Sequence, residues 1–424
     1  MRMRDLTSGK AVRPDGGRTA LFAIALLTMV SFFNYMDRMV LAVVLEPMKH
    51  ELGLSDGELG LLSGVAFAVV YATMGIPLGR LADRTSRTRL LAACLGFWSV
   101  MTFATGLARN FAQLFLARVG VGIGEAGCAP AAHSLIGDYF PAHRRALGIS
   151  LFQAGGIAGV SIGLMVAGTI AHSYGWRAAL MVAGLASLPL LILLLMLPEP
   201  AHQSAGKRDN AESLWASLAA LLRRRAFLHL NLGLGISSFG IYGIGQWQTT
   251  FLVRSMELDL RVAGFWSGLS HGTGGIIGVV CIGALTSYLM RRDSRWELWI
   301  PTIGYSASAP VFAAAFLATD WRLCVAMLTA GVGLSLSTSG VALSALQSFA
   351  EPWRRGTAVA IALFTSAMIG LGLGPYTIGL LSDLLHPVQG EESLRYALLI
   401  SCASLGWAGW HFLLASRSAM KDRL

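Results

Sequence analysis

The chain has 424 residues, of which 54% are hydrophobic and only 13% are charged, and its formal net charge is +10. Soluble globular proteins carry about 25% charged residues. This composition therefore excludes an ordinary soluble domain and indicates a protein that crosses a membrane many times. The basic residues fall in short loops between apolar segments, and this scatter argues against a nucleic-acid partner.

Apolar segments long enough to cross a bilayer recur twelve times along the chain. They are predicted near residues 20–45, 57–80, 89–108, 112–136, 146–172, 177–197, 226–253, 262–290, 297–318, 322–347, 356–381 and 393–416. The predicted organisation is a tail (1–18), a six-helix bundle (19–197), a linker (198–225), a second six-helix bundle (226–416) and a tail (417–424). We thus predict an all-α polytopic membrane protein with twelve transmembrane helices.

The distribution of Lys and Arg predicts the orientation. Most of these residues lie in the two tails, the linker and the even-numbered loops, and cytoplasmic loops carry such an excess. Both termini are therefore predicted to be cytoplasmic, in the inner (plasma) membrane of a bacterium. The linker segment Ala211–Leu222 has an apolar face and precedes Arg223, so it is either a short helix at the inner membrane surface or a solvated, partly disordered linker.

Two opposite charges, Asp37 and Arg38, lie inside the first long apolar segment. At bilayer depth such charges cost several kcal/mol unless they pair or face water. A chain that tolerates this cost uses the charges, so the pair indicates a polar pathway through the membrane.

The fourth predicted span carries Arg118 and Glu125, which lie seven residues apart and so share one helix face. Burial raises the pKa of a carboxyl group and a nearby Arg lowers it. A buried cluster of Asp37, Arg38 and Glu125 can therefore be set so that protonation frees the arginine, which suits a phosphate group. A static brace between helices is the alternative for this cluster. For Arg118 the alternative is a side chain that snorkels to one membrane face.

The two halves of the chain look related. Arg144–Arg145 precede the fifth span and Arg354–Arg355 precede the eleventh, with 210 residues between the pairs. Internal duplication of six-helix halves is a common construction of secondary transporters, whose substrate site lies between the repeats.

The loop from Gly79 to Arg89 joins the second and third predicted spans. It contains Leu81-Ala82-Asp83-Arg84 and a later Arg87, and it resembles the signature loop of the major facilitator superfamily, with Ser86 in place of the usual Gly. The resemblance implies that Asp83 docks at the N-terminal end of helix eleven and that Arg84 and Arg87 complete a cytoplasmic charge latch. We assign to the same cytoplasmic gate Gly79, Arg144, Arg145, Arg354 and Arg355.

Two further stretches narrow the resemblance. Asn34-Tyr35-Met36-Asp37-Arg38 and Gly122-Ile123-Gly124-Glu125-Ala126 together resemble the spinster-like branch of that superfamily, which moves lysolipids and sphingosine phosphate. The resemblance implies a proton-linked role for Asp37 and Glu125. It makes Arg38 either their charge partner or the contact for an anionic headgroup, and we add Asn34, Tyr35 and Arg118 to this headgroup or charge-partner set.

In this superfamily spans one, four, seven and ten line the cavity. The second-half candidates for the lining are Tyr242, Gln246, Gln248, Phe251 and His271. The two glutamines are two residues apart, so both cannot point straight inward from a regular helix, and each is interpreted as more often structural. His271 either titrates near neutral pH or packs through a hydrogen bond. The rest of this wall is predicted to be apolar and to suit an acyl chain.

The resulting hypothesis is a secondary active transporter that moves an amphiphilic anion, a lysophospholipid or sphingolipid phosphate, by alternating access coupled to protons. The alternative is a proton-driven transporter of small organic anions or hydrophobic drugs. A lipid enzyme is disfavoured because no nucleophile–base set stands at membrane depth, and a sensor is disfavoured by the latch. The five cysteines are interpreted as packing residues; no metal or cofactor is expected, and the partners are the substrate, protons and the bilayer around a monomer.

Overall fold

The computed structural model describes residues 18–200, 213–351 and 353–422, and every regular element among them is helical. We number the membrane-spanning helices in chain order. Spans 1 to 6 are Arg18–Leu52, Asp56–Ala82, Arg87–Leu107, Phe111–Tyr139, His143–Tyr174 and Trp176–Met196. Spans 7 to 10 are Arg225–Arg254, Leu260–Met290, Trp296–Leu317 and Trp321–Ser348.

The last apolar stretch, from 355 to 418, contains two spans. Its 64 residues would extend about 96 Å as one helix, roughly three times the thickness of the hydrocarbon core. Gly390, with φ 55°, reverses the chain after span 11, which comprises Arg355–Thr365, Ser366–Leu373 and Gly374–Gln389. Span 12 comprises Ser393–Ser401 and Ala403–Asp422. The prediction of twelve helices is confirmed.

Three spans depart from regular α-helix near the centre of the molecule. Span 2 breaks at Gly64, between Asp56–Ser63 and Val65–Ala82. Spans 8 and 11 contain π-helical turns at Ser270–Gly274 and Ser366–Leu373. Turns of this kind often mark functional sites in membrane helices.

The linker contains a short helix, Leu214–Leu222, so the predicted helical segment is present. The preceding residues 201–212 lie outside the described residues, as do 1–17 and 423–424 of the predicted tails. Because the number of spans is even, residue 18 and residue 422 lie at the same end of the bundle. We call this the terminal end and the other the far end.

The two halves meet through three pairs of helices: spans 1 and 7, spans 2 and 11, and spans 5 and 8. The approach is close because glycines remove the side chain at the crossings. A Cβ added at Gly60 would lie 2.5 Å from the Pro375 carbonyl oxygen, and one at Gly264 would lie 2.7 Å from that of Leu164. These residues belong to the parts of spans 2, 5, 8 and 11 nearer the far end, which is therefore closed.

Candidate functional site

A cavity of about 410 Å³ lies between the two halves. The first half lines it with residues of spans 1, 2, 4 and 5, among them Tyr35, Arg38, Phe67, Arg118 and Gln153. The second half lines it with residues of spans 7 to 11, among them Tyr242, Gln246, Gln248, His271, Ser335 and Ser339. Its walls therefore combine two arginines, neutral polar groups and many apolar side chains.

Arg38 forms the central ion pair of the first-half wall. Its Nε donates to Oε2 of Glu125 on span 4 over 2.5 Å, and the Glu125 side chain is fully buried. The guanidinium carbon lies 4.6 Å from the ring centre of Tyr71, 4.8 Å from that of Phe67 and 5.2 Å from that of Tyr35. Aromatic faces stabilise a cation, so Arg38 is held in place by both its acid partner and three rings.

Asp37 does not pair with Arg38, because consecutive residues on a helix point about 100° apart. Its side chain is fully buried on the side of span 3, next to Trp98 and Thr102. Neither carboxylate oxygen has a hydrogen-bond partner among the described residues. Asp37 is therefore behind the cavity wall, whereas Arg38 is in it.

Arg118 lies between the two acids and the cavity. It is buried, interacts electrostatically with Asp37 and Glu125, and its guanidinium carbon lies 5.4 Å from the ring centre of Phe67. In the part of the chain that the structure describes, it forms no ion pair within 4.0 Å. Two acids and two arginines thus form what we call the charge cluster: Asp37, Arg38, Arg118 and Glu125. Asn34, also buried, lies beside Glu125.

The second-half wall combines many apolar side chains with polar groups from several spans. Gln246 and Gln248 both line the cavity, because it extends around span 7 rather than along one face. Tyr242 and His271 line it as well. Phe251 does not: it is fully buried in the core, with its ring centre 5.1 Å from that of Phe316. Four serines also face the cavity among its many apolar side chains, namely Ser238, Ser335, Ser339 and Ser366.

At the far end a buried group of charges joins the halves. Arg254 of span 7 donates to Glu46 of span 1 over 2.7 Å and to Asp56 of span 2 over 2.7 Å, with only 3% of its side chain exposed. Lys49 adds a contact of 2.8 Å to Asp56. Asp383 of span 11 accepts the backbone N–H groups of Asp56 and Gly57 over 2.9 and 2.7 Å. We call these residues the Arg254 clamp. This clamp was not predicted from the sequence, although its charged residues lie at the ends of apolar segments.

The carboxylate of Asp383 fits its position at the start of span 2, because the N-terminus of a helix presents unpaired N–H groups and a partial positive charge. Ser382 donates to Asp56 as well, over 2.6 Å. Spans 1, 2, 7 and 11 are thus tied together at the far end by contacts that cross between the halves.

The predicted latch at the terminal end is not engaged in this structure. Asp83 and Arg84 are exposed, and among the described residues the Asp83 side chain forms no ion pair. Arg87 is instead buried within the first half, where it pairs with Asp138 and, over 2.8 Å, with Glu199. Its predicted grouping with Asp83 and Arg84 is therefore not what the structure shows.

Glu199 accepts hydrogen bonds from Ser86, Arg87 and Thr88 at the start of span 3. Burial alone would raise the pKa of this carboxyl group, but the Thr88 backbone N–H, the Arg87 guanidinium and the hydroxyl groups outweigh it and lower the pKa to about 2. This network fixes the end of span 6 to spans 3 and 4.

The remaining gate residues lie at the terminal end. Arg144 and Arg355 are exposed. Arg145 donates to the Phe140 carbonyl over 3.1 Å, and Arg354 contacts Glu351 at 3.1 Å. Gly79 lies near span 4, where an added Cβ would be 3.8 Å from that of Pro130.

The model of the Major Facilitator Superfamily matches residues 27–375 of this chain. An "MFS-type efflux pump" of Mycolicibacterium smegmatis is 34% identical over 397 residues, which are 93% of this chain and 92% of the relative. The "Sphingosine-1-phosphate transporter SPNS2" of Mus musculus is 29% identical, over 94% of this chain and 77% of its own length.

Among solved structures, a bacterial homolog of the human lysosomal transporter Spinster, in an inward-facing and unoccupied conformation, superposes with a TM-score of 0.87 at 25% identity. The match covers 96% of this chain and 99% of that one. The chain belongs to the major facilitator superfamily and, within it, to the spinster-like branch. It is a multi-pass membrane transporter rather than an enzyme.

Proposed function

We propose that this protein is a secondary active transporter that moves an amphiphilic anion, of the lysophospholipid or sphingolipid phosphate type, by alternating access. The observation that carries this proposal is the pair of arginines, Arg38 and Arg118, in the wall of an otherwise largely apolar cavity between the halves. Arginine binds phosphate and carboxylate through a planar fork, and apolar walls accommodate an acyl chain.

The arginines are available to an anion. Arg38 uses its Nε for Glu125, while its terminal nitrogens form no hydrogen bond with the residues that the structure describes. Arg118 has no ion-pair partner within that part of the chain. A phosphate placed against both would therefore gain charge-assisted hydrogen bonds without displacing the Arg38–Glu125 pair.

The charge cluster also supports proton coupling. With both acids ionised, the charges of its two acids and two arginines sum to zero. A proton on either acid therefore leaves one unit of positive charge for a bound anion. Protonation of Glu125 would release Arg38, whereas Asp37 can accept a proton without breaking an ion pair. Proton binding and anion binding would then favour each other.

Closure at the far end and a disengaged latch at the terminal end support alternating access. With the orientation set by the basic loops, the terminal end faces the cytoplasm and this conformation is inward-facing. Opening the far end requires the Arg254 clamp to separate, and closing the terminal end brings Asp83 to the start of span 11. Because one chain contains both halves, a monomer in the inner membrane is sufficient for this transport cycle.

The test is uptake of a fluorescent lysophospholipid into proteoliposomes with and without a pH gradient. We expect the gradient to accelerate transport by the unaltered protein and to have little effect on Asp37→Asn or Glu125→Gln. Glu391→Gln, at an exposed position in the far-end turn, is the matched control and should respond normally. An unchanged response of both cluster variants would overturn proton coupling.

A second candidate is the efflux of hydrophobic drugs or small organic anions, favoured by the efflux pump from Mycolicibacterium smegmatis at 34% identity. Competition separates the two proposals. If a lysolipid is itself transported and inhibits drug transport at low concentration, the first proposal, a lipid substrate, is favoured. If a drug or organic anion is transported and lysolipid does not inhibit this transport, the second candidate is favoured.

A further inference from the structure

Span 7 carries two amide side chains with unsatisfied hydrogen-bonding groups in the cavity wall. Gln248 is fully buried, and neither its Nε2 nor its Oε1 has a partner among the described residues. Gln246 is 8% exposed, and its Nε2 has no partner there either. Buried polar groups are nearly always paired. Because both side chains line the cavity, a ligand in the cavity is placed to supply the missing partners.

His271 adds an acceptor on the facing helix, span 8. Its Nδ1 lies 3.0 Å from the carbonyl oxygen of Ser267, which can only accept, so that Nδ1 carries the proton. In the neutral ring Nε2 is then an acceptor. Nε2 faces span 7, since a Cβ added at Gly245 would lie 3.5 Å from it. The π-helical turn Ser270–Gly274 sets this position of the ring.

The donors are the two amide nitrogens, and the acceptors are Oε1 of Gln248 and Nε2 of His271. A group that both donates and accepts fits this set, and a hydroxyl is the simplest such group. A phosphate dianion, which can only accept hydrogen bonds, would leave both acceptors unsatisfied. The set therefore differs in chemistry from the arginines of the first half.

We propose that Gln246, Gln248 and His271 form a hydroxyl-binding subsite, separate from the Arg38–Arg118 anion site and on the opposite wall. The proposal rests on the proposed function, because it assigns a second polar group to the same amphiphilic substrate. A ligand that engages both sites bridges the two halves of the protein. The subsite thus selects amphiphilic anions that carry a hydroxyl near the charged group over simple alkyl anions.

The experiment compares two probes that differ in one group, hexadecyl phosphate and 2-hydroxyhexadecyl phosphate, by equilibrium binding to the purified full-length protein. A third probe, 1,2-hexadecanediol, has hydroxyls but no phosphate. The variant is Gln246→Met with Gln248→Met, which keeps the side-chain length and removes the amides. Gln389→Met is the control, because Gln389 is exposed at the end of span 11 and does not line the cavity.

We expect the unaltered protein to bind the hydroxylated phosphate about tenfold more tightly, the effect of one or two buried hydrogen bonds. The double variant should lose this preference yet bind hexadecyl phosphate as before, and Gln389→Met should keep the preference. A preference of the same size in the double variant overturns the subsite while leaving the proposed function intact.

The third probe separates the failure of the two proposals. If the unaltered protein binds neither phosphate probe, the proposed anion site is wrong. The hydroxyl-binding subsite is then tested by the binding of the diol alone. Binding of the diol that weakens about tenfold in the double variant supports it, and diol binding that is absent or unaffected by the two substitutions overturns it.

Discussion

Arg38 of span 1 and Glu125 of span 4 form a buried ion pair with 2.5 Å between Nε and Oε2. The adjacent Asp37 lies on another face of span 1, behind the cavity wall. One short segment thus supplies both a cation to the cavity and an acid to the helix interface. This division makes separate predictions for the two residues.

Replacement of Arg38 tests the ion pair. Arg38→Gln leaves Glu125 buried without its partner, a change that costs about 3–5 kcal/mol in comparable buried pairs. We expect a clear loss of thermal stability in detergent, largely restored in the double variant Arg38→Gln, Glu125→Gln. Phosphate-amphiphile binding should stay impaired in both. Recovered binding in the double variant would contradict a direct role of Arg38 in anion recognition.

The Arg254 clamp predicts a shift between conformations. Arg254→Met removes the buried ion pairs that join span 7 of the second half to Glu46 and Asp56 of the first half, and the loss of these contacts between the halves favours separation of the far end. Spin labels at positions 109 and 391, both exposed at that end, should report a new population at longer distance. Arg261→Met, at an exposed position on span 8, is the control. Identical distance distributions in all three proteins would exclude the clamp as a gate.

Close packing of spans 2 and 11 predicts the effect of a single methyl group. A Cβ at Gly64 would overlap the Gly372 carbonyl oxygen of the other half, so Gly64→Ala must move the two backbones apart. The same pair of labels should show partial opening of the far end, with a lower melting temperature. Gly340→Ala, where an added Cβ meets nothing within 4 Å, should leave both readouts unchanged. Equal melting curves would contradict this packing.

The hydrogen bonds to Glu199 predict a stability that depends on pH. With its pKa lowered to about 2, the carboxylate contributes stability that is complete above its unfolded pKa of about 4.3 and is lost as the pH falls towards 2. The melting temperature of Glu199→Gln should therefore be lower than that of the unaltered protein at pH 7, and the difference should shrink below about pH 4.5. Glu257→Gln, exposed in a loop, should show no such convergence. A difference that stays constant down to pH 3 would contradict this account.

The number of spans, the bounds of most spans to within a few residues and the family were accessible from the sequence, because apolar length and the Gly79–Arg89 loop are local features. The ends of spans 1, 11 and 12 lie further along the chain than predicted. The charge cluster was partly accessible. Arg38 was predicted as the charge partner of both acids, and it pairs with Glu125 but not with Asp37. Partner choice depends on how spans 1 and 4 are rotated, which no spacing within one span specifies.

Features that arise between distant segments could not be predicted. The Arg254 clamp joins four spans from both halves, and each of its charges alone resembles a loop residue. Gln248 seemed unable to face the cavity beside Gln246 because helical periodicity assumes a single inner face, whereas the cavity extends around span 7. Phe251 was wrongly placed because an aromatic residue on a cavity-lining helix packs equally well in the core.

Native mass spectrometry of the purified protein tests the central claim, that an amphiphilic anion binds at Arg38 and Arg118, most directly. The protein would be released from detergent with its co-purified ligand, and the ligand's mass and charge class would be compared with those in Arg38→Gln and in the exposed control Arg261→Gln. We predict an acidic lysolipid in the unaltered and control proteins and its loss from Arg38→Gln. Equal retention of that lipid in all three, or a bound hydrophobic cation instead, would contradict the claim.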